Sequence, residues 1–226
     1  MKSIIYVVLI ASLFGCAPKS GVSRDEKLKL YNEILDQIIT DNYFQHCISL
    51  DVAENIHTDV YQGKIDTATY FKIVDSLKMV RRNTLPKCKL DYATEFQIFR
   101  KTHELNDDTK FSLSENLKDT FLINGFADVP VKTIVDTLSQ AAQINAKELS
   151  LIYLDITPYV KRPNRLYGEG MGVISLSKIY FNKEIDKAVL FYEFNCGPKC
   201  GTGEIVFVSK KNGKWTVIEY KRVWDS

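Results

Sequence analysis

The sequence predicts an α+β protein, with N-terminal helices packed on one face of a C-terminal antiparallel β-sheet. Three observations carry that expectation. Apolar residues recur at helical spacing early in the chain, as in Tyr31, Ile34, Leu35, Ile38 and Ile39. From Val173 onward the periodicity changes to short runs rich in Val, Ile, Phe and Tyr, the residues that suit strands. Turn formers separate those runs and end with Asn212-Gly213, a pair that readily gives the two positive φ angles of a type I′ hairpin. Sequential hairpins make antiparallel neighbours, so a meander is expected, and a curved, cone-like sheet wrapped by helices is one arrangement of that kind.

The elements follow in order. Ser23-Arg24-Asp25-Glu26 forms a capping box, with Ser23 as N-cap and Glu26 reaching back to its amide, and the helix it opens ends near Asp41-Asn42. Asp66 caps a second helix in which Tyr70, Phe71, Val74 and Leu77 share a face. Arg81-Arg82 suit its C-terminal dipole, and Pro86 stops it. Glu95 to Lys101 alternates as a strand would, and Phe111 to Phe126 is compatible with either state. Pro130 fits a first helical turn, after which Val131, Ile134, Val135, Leu138, Ala141 and Ala142 mark a third helix. Strands are expected at Leu149 to Ile156, Val173 to Phe181, Lys187 to Phe194, Glu204 to Ser209 and Trp215 to Val223. One domain over 23–226 results, helical to about residue 147 and mainly strand from about 148.

Ahead of it, Lys2 supplies a positive start, Ile4 to Phe14 an apolar stretch too short to span a bilayer, and Leu13-Phe14-Gly15-Cys16 a small residue before a cysteine. This resembles a bacterial lipoprotein signal of the signal peptidase II type. The resemblance implies cleavage after residues 1–15 and acylation of Cys16, with palmitate among the chains. Residues 16–22 become a lipidated tether, and membrane lipid becomes the first partner. Ala17 is not the aspartate that marks inner-membrane retention in well-studied lipoproteins, so the resemblance points to the outer membrane, facing the periplasm.

Removing residues 1–15 takes away one lysine from 226 residues that carry +2, leaving 211 residues at +1. Near-neutrality argues against a nucleic-acid partner. Besides Cys16 there are Cys47, Cys88, Cys196 and Cys200, an even number suited to an oxidising compartment. Three connectivities are open to four cysteines; proximity favours Cys196 with Cys200 and, by remainder, Cys47 with Cys88. Loop-closure entropy assigns about 2 kcal/mol to the short bridge and about 4 kcal/mol to the long one.

Near the C-terminus, Phe181-Asn182, Asn195-Cys196-Gly197, Cys200-Gly201-Thr202-Gly203, Asn212-Gly213-Lys214-Trp215 and Trp224 form a pattern. It resembles the tail of many uncharacterised bacterial lipoproteins and secreted proteins. The resemblance implies a recurrent module and attaches no activity to it.

No motif points to a reaction. Cys196-x-x-x-Cys200 lacks the later histidine of a copper site and has one residue too many for a thiol oxidoreductase; a structural disulfide across the Gly197-Pro198 turn is the simpler use. Tyr167-Gly168-Glu169-Gly170-Met171-Gly172 and Gly201-Thr202-Gly203 lack the helix and the lysine of a phosphate loop. Lys161-Arg162-Pro163-Asn164-Arg165 reads as a solvated loop, and Tyr192, Phe194, Phe207, Trp215, Tyr220 and Trp224 as sheet-face packing or an aromatic binding concavity. His46, His57 and His103 show no metal-ligand spacing, and no nucleophile elbow occurs. Neither a catalytic residue, a cofactor nor a metal is therefore expected. The sequence favours a lipid-anchored, non-catalytic envelope protein that binds a protein, glycan or small ligand. The alternative is an envelope hydrolase whose site gathers dispersed histidines and acids.

Overall fold

The computed structural model describes residues 21–43, 58–84, 88–96, 117–152, 154–160, 170–197 and 200–225. Helix α1 (Arg24–Ile38) runs into a π-helical turn, Ile39–Tyr43. Only half of the capping box forms. Ser23 accepts from the Glu26 amide at 3.2 Å, but the Glu26 carboxylate turns to the sheet, where it accepts from Trp215 Nε1 at 2.7 Å and Lys210 Nζ at 2.8 Å. Chiefly through the Lys210 hydrogen bond, that carboxyl is held below the usual carboxylate range. Helix α2 (Thr67–Thr84) starts where Asp66 accepts from the Thr69 amide at 2.6 Å, and its Phe71 is left exposed. Helix α3 (Val131–Leu138) buries Ile134, Val135 and Leu138 and ends sooner than the sequence predicts. Ala141 and Ala142 lie beyond it, since Ala141 bridges Ser177 and the Ala142 amide donates to Leu176 O. Residues 117–123 are also helical. Among the described residues no helix is long and apolar enough to cross a membrane.

Seven strands form one sheet: β1 (Cys88–Ala93), β2 (Leu154–Pro158), β3 (Val173–Leu176), β4 (Tyr180–Phe181), β5 (Lys187–Gly197), β6 (Cys200–Lys211) and β7 (Lys214–Asp225). Their order is β2-β1-β3-β5-β6-β7, with β4 also beside β5. The meander β3-β5-β6-β7 is antiparallel, but β1 pairs parallel with both β2 and β3, so the sheet is mixed. The strand expected at Val173 to Phe181 is broken at Ser177, whose hydroxyl accepts from the Phe191 amide at 2.7 Å. The strand expected at Leu149 to Ile156 starts later, at Leu154. Residues 94–96 leave the sheet, and Glu95 is not in a strand. Asn212 and Gly213 take φ of 51° and 77°, as their hairpin requires.

Helices cover both faces of the sheet, not one. Toward α1 point Ala188, Leu190, Tyr192 and Phe194 of β5 with Val206 and Val208 of β6; toward α3 and the 117–123 helix point Val189, Phe191, Ile205 and Phe207. Residues Ala188 to Phe194 are consequently all buried, the pattern of a central strand between two layers. At the far edge, α1 supplies side chains to the open side of β7. Glu33 accepts from the Trp215 amide at 2.7 Å and Gln37 from the Val217 amide at 3.0 Å, while Gln37 Nε2 donates to Trp215 O.

Candidate functional site

Strand register assembles a polar row at one end of this sheet. Tyr192 on β5 lies opposite Glu204 on β6, and Glu204 lies opposite Arg222 on β7. A β-bulge between Gly203 and Glu204 sets the second pairing. The Tyr192 hydroxyl donates to Glu204 Oε2 at 2.5 Å, Arg222 Nε donates to Oε1 at 3.4 Å, and Arg222 also reaches Asp225 Oδ2 at 3.3 Å. The π-helical turn after α1 then brings in Tyr43, whose hydroxyl is 3.0 Å from that of Tyr192 and whose ring sits 4.0 Å from the Phe194 ring.

A cleft of about 380 Å3 opens over this row, lined among others by Asn42, Tyr43, Thr202, Glu204, Arg222 and Asp225. The Cys196–Cys200 disulfide, with Cα atoms 5.1 Å apart, forms one wall and closes the mouth of the β5-β6 hairpin. Glu204 is 8% exposed, so its carboxylate owes its burial to the donors around it. Burial holds the phenols in their neutral form: that of Tyr192 is pushed far above the ordinary tyrosine range, and that of Tyr43 is pushed up to about 12. Both hydroxyls are therefore protonated at neutral pH and act as hydrogen-bonding groups. Asn42 Nδ2 and the Tyr220 hydroxyl are buried without hydrogen-bond geometry among the described residues, although the Asn42 amide lies close enough to oppose the upward push that burial gives the Tyr220 phenol.

Of the residues singled out in the sequence, Cys196 and Cys200 line this cleft and pair as expected. Cys88 begins β1 and packs against the core that α1 shares with the sheet. Cys16, Cys47, His46, His57, His103 and the basic segment 161–165 lie outside the described residues, as does any Cys47–Cys88 bridge. Gly172, from the glycine-rich run, leads into β3 at φ 144°, where a Cβ would come 2.5 Å from Asn195 O. Phe194, Phe207 and Trp215 are wholly buried and serve as packing. Among the described residues no three His, Cys, Asp or Glu side chains are grouped to hold a metal ion. Sequence reasoning missed Tyr43, Glu204 and Arg222. One signal was available for Glu204, an acid sharing inward parity with Val206 and Val208.

Compared with protein families, curated proteins and solved structures, the chain matches none.

Proposed function

We propose that this is a lipid-anchored, non-catalytic protein of the bacterial cell envelope, attached through acylated Cys16 at the outer membrane, and that the cleft beside Cys196–Cys200 binds a hydroxyl-rich ligand of the glycan class. One observation carries the binding role: a nearly buried carboxylate, Glu204, reaches an open cleft already fixed by a tyrosine and an arginine. Planar groups with paired donors or acceptors, here Glu204, Asp225, Arg222 and Asn42, match the vicinal hydroxyls of a sugar, and the aromatic Tyr43 beside them offers an apolar contact. Binding is favoured over hydrolysis because both carboxylates of the cleft are held by Arg222, and Glu204 also by Tyr192. That arrangement fixes charge and does not move protons. The address is supported by Leu13-Phe14-Gly15-Cys16 and by a disulfide that suits an oxidising compartment.

A glycan array probed with the protein tests the cleft. Retention of an oligosaccharide that weakens about tenfold or more in Arg222→Ala, with the variant still folded by circular dichroism, is the expected result. No retained glycan, or full retention by the variant, would overturn it. For the anchor, Cys16→Ser should abolish incorporation of an alkyne-labelled fatty acid and move the protein to the soluble fraction; membrane retention after that change refutes acylation at Cys16.

A further inference from the structure

A second cleft, lined by a different set of residues, has the opposite character. It holds about 330 Å3, at the lower end of the ~300–1,000 Å3 range of ligand pockets. Three segments meet there: the first turns of α1, the chain after α3, and the break between β3 and β4. Its floor is hydrocarbon, from Leu28, Ile144 and Ile179. Polar atoms at that floor are already committed. The Tyr31 hydroxyl donates to Ser177 O at 2.7 Å, Thr137 Oγ1 donates to Thr133 O at 3.0 Å, and the Ala142 amide donates to Leu176 O.

The rim carries Arg24, Lys27 and Lys178 against a single acid, Glu148. Arg24 pairs with Glu148, whose other oxygen accepts from the Asn145 amide at 3.3 Å, so both oxygens of the one acid are engaged. Lys178 donates to a neutral group, Gln140 Oε1. Lys27 has no side-chain partner among the described residues. An apolar floor whose Tyr31, Thr137 and Ala142 donors are already engaged, beneath a rim where two cations, Lys27 and Lys178, stand without a carboxylate partner, complements one ligand chemistry: a hydrocarbon body ending in an anionic head.

We propose that this cleft binds a free single-chain anionic amphiphile, a medium-chain fatty carboxylate or its phosphate counterpart. The ligand's chain lies on Leu28, Ile144 and Ile179, and its head meets Lys27 and Lys178. Like charges gathered round one apolar depression repel one another, and an anion relieves that repulsion while the chain covers exposed carbon. Bilayer phospholipid presents the same head chemistry, but its two long chains exceed a cleft of this volume, which favours the free ligand.

Isothermal titration of the full-length chain carrying Cys16→Ser distinguishes these sources. Sodium decanoate and decyl phosphate should each saturate a single site. Decanol and decyltrimethylammonium should bind about tenfold more weakly or not at all. Lys27→Glu and Lys178→Glu, both at exposed positions, should each lower decanoate affinity about tenfold without changing melting, and raised salt should weaken binding. Should either charge reversal disturb folding, Lys27→Gln and Lys178→Gln give the same readout with a smaller loss. Absence of decanoate binding overturns the proposal, as does equal binding of the cationic amphiphile or indifference to both lysine changes. Binding to vesicles of anionic phospholipid in preference to decanoate overturns it in favour of a membrane-surface site.

Discussion

Changing Tyr192→Phe removes one oxygen from the centre of the polar row and leaves the ring packing, wholly buried, in place. Two interactions go: donation to Glu204 Oε2 and the contact with the Tyr43 hydroxyl at 3.0 Å. A hydrogen bond to a charged group contributes about 1.5–3 kcal/mol and a neutral one about 0.5–1.5 kcal/mol, while the phenol's own desolvation cost disappears with it. Among the described residues Glu204 would keep only Arg222, at 3.4 Å, as a side-chain donor. The net loss expected is about 2–3 kcal/mol of unfolding free energy. Urea titration followed by tryptophan fluorescence and circular dichroism measures it. A cycle with Glu204→Gln isolates the pair, and a coupling of about 1–2 kcal/mol is expected. If Tyr192→Phe lay within about 0.5 kcal/mol of the parent protein, or the two changes added without coupling, the row would not be an energetic unit.

Alkaline pH should unfold the protein cooperatively. The phenols of Tyr31, Tyr43, Tyr92, Tyr192 and Tyr220 are all raised above their ordinary value of 10.0, chiefly by burial. Above that pH the unfolded chain loses protons that the folded one keeps, so their contribution is complete below pH 10 and falls as pH rises. Tyrosinate absorbance should therefore climb together with loss of ellipticity, and full ionisation near pH 10 in a folded protein would contradict this. Replacing Cys196 and Cys200 together by serine should cost about 2 kcal/mol, read as a fall in melting temperature that reduction of the parent protein reproduces. Ile185, a β-branched residue at φ 57°, should be improved by glycine: Ile185→Gly is expected to gain about 0.5–1 kcal/mol in the same urea assay, and a loss would show that its side chain holds the turn.

What the sequence made legible was local. Helix α1 declared itself through its capping serine and its stripe from Tyr31 to Ile39, and the last hairpin through Asn212-Gly213. Strand β1 was overlooked although Cys88-Lys89-Leu90-Asp91-Tyr92 alternates apolar with polar residues and buries Leu90 and Tyr92, because a run of six residues is a short signal beside the helix that precedes it. Its parallel partners lie far along the chain, and pairing at that range depends on packing, which periodicity does not report. Two-sided burial was written in the unbroken run Ala188-Val189-Leu190-Phe191-Tyr192, which suits a central strand more than one facing water. The site was harder to read. Tyr192, Glu204 and Arg222 share a row only through register, and a bulge that no residue type announces is what sets Arg222 opposite Glu204.

The bonds that α1 makes to the rim of β7 join residues 178 to 189 positions apart. Closure over that span comes late and slowly, because nearly the whole chain must be ordered before it is rewarded. During synthesis the helix emerges well before the strand it docks on. Until Glu26, Glu33 and Gln37 meet Trp215 and Val217, the β7 rim stays available to other chains. Nascent molecules are therefore most prone to self-association in the interval between finishing the last hairpin and docking the first helix. A product cut short before Trp215 never forms that hairpin, so it leaves the edge of β6 open and α1 without the strand it is built to hold.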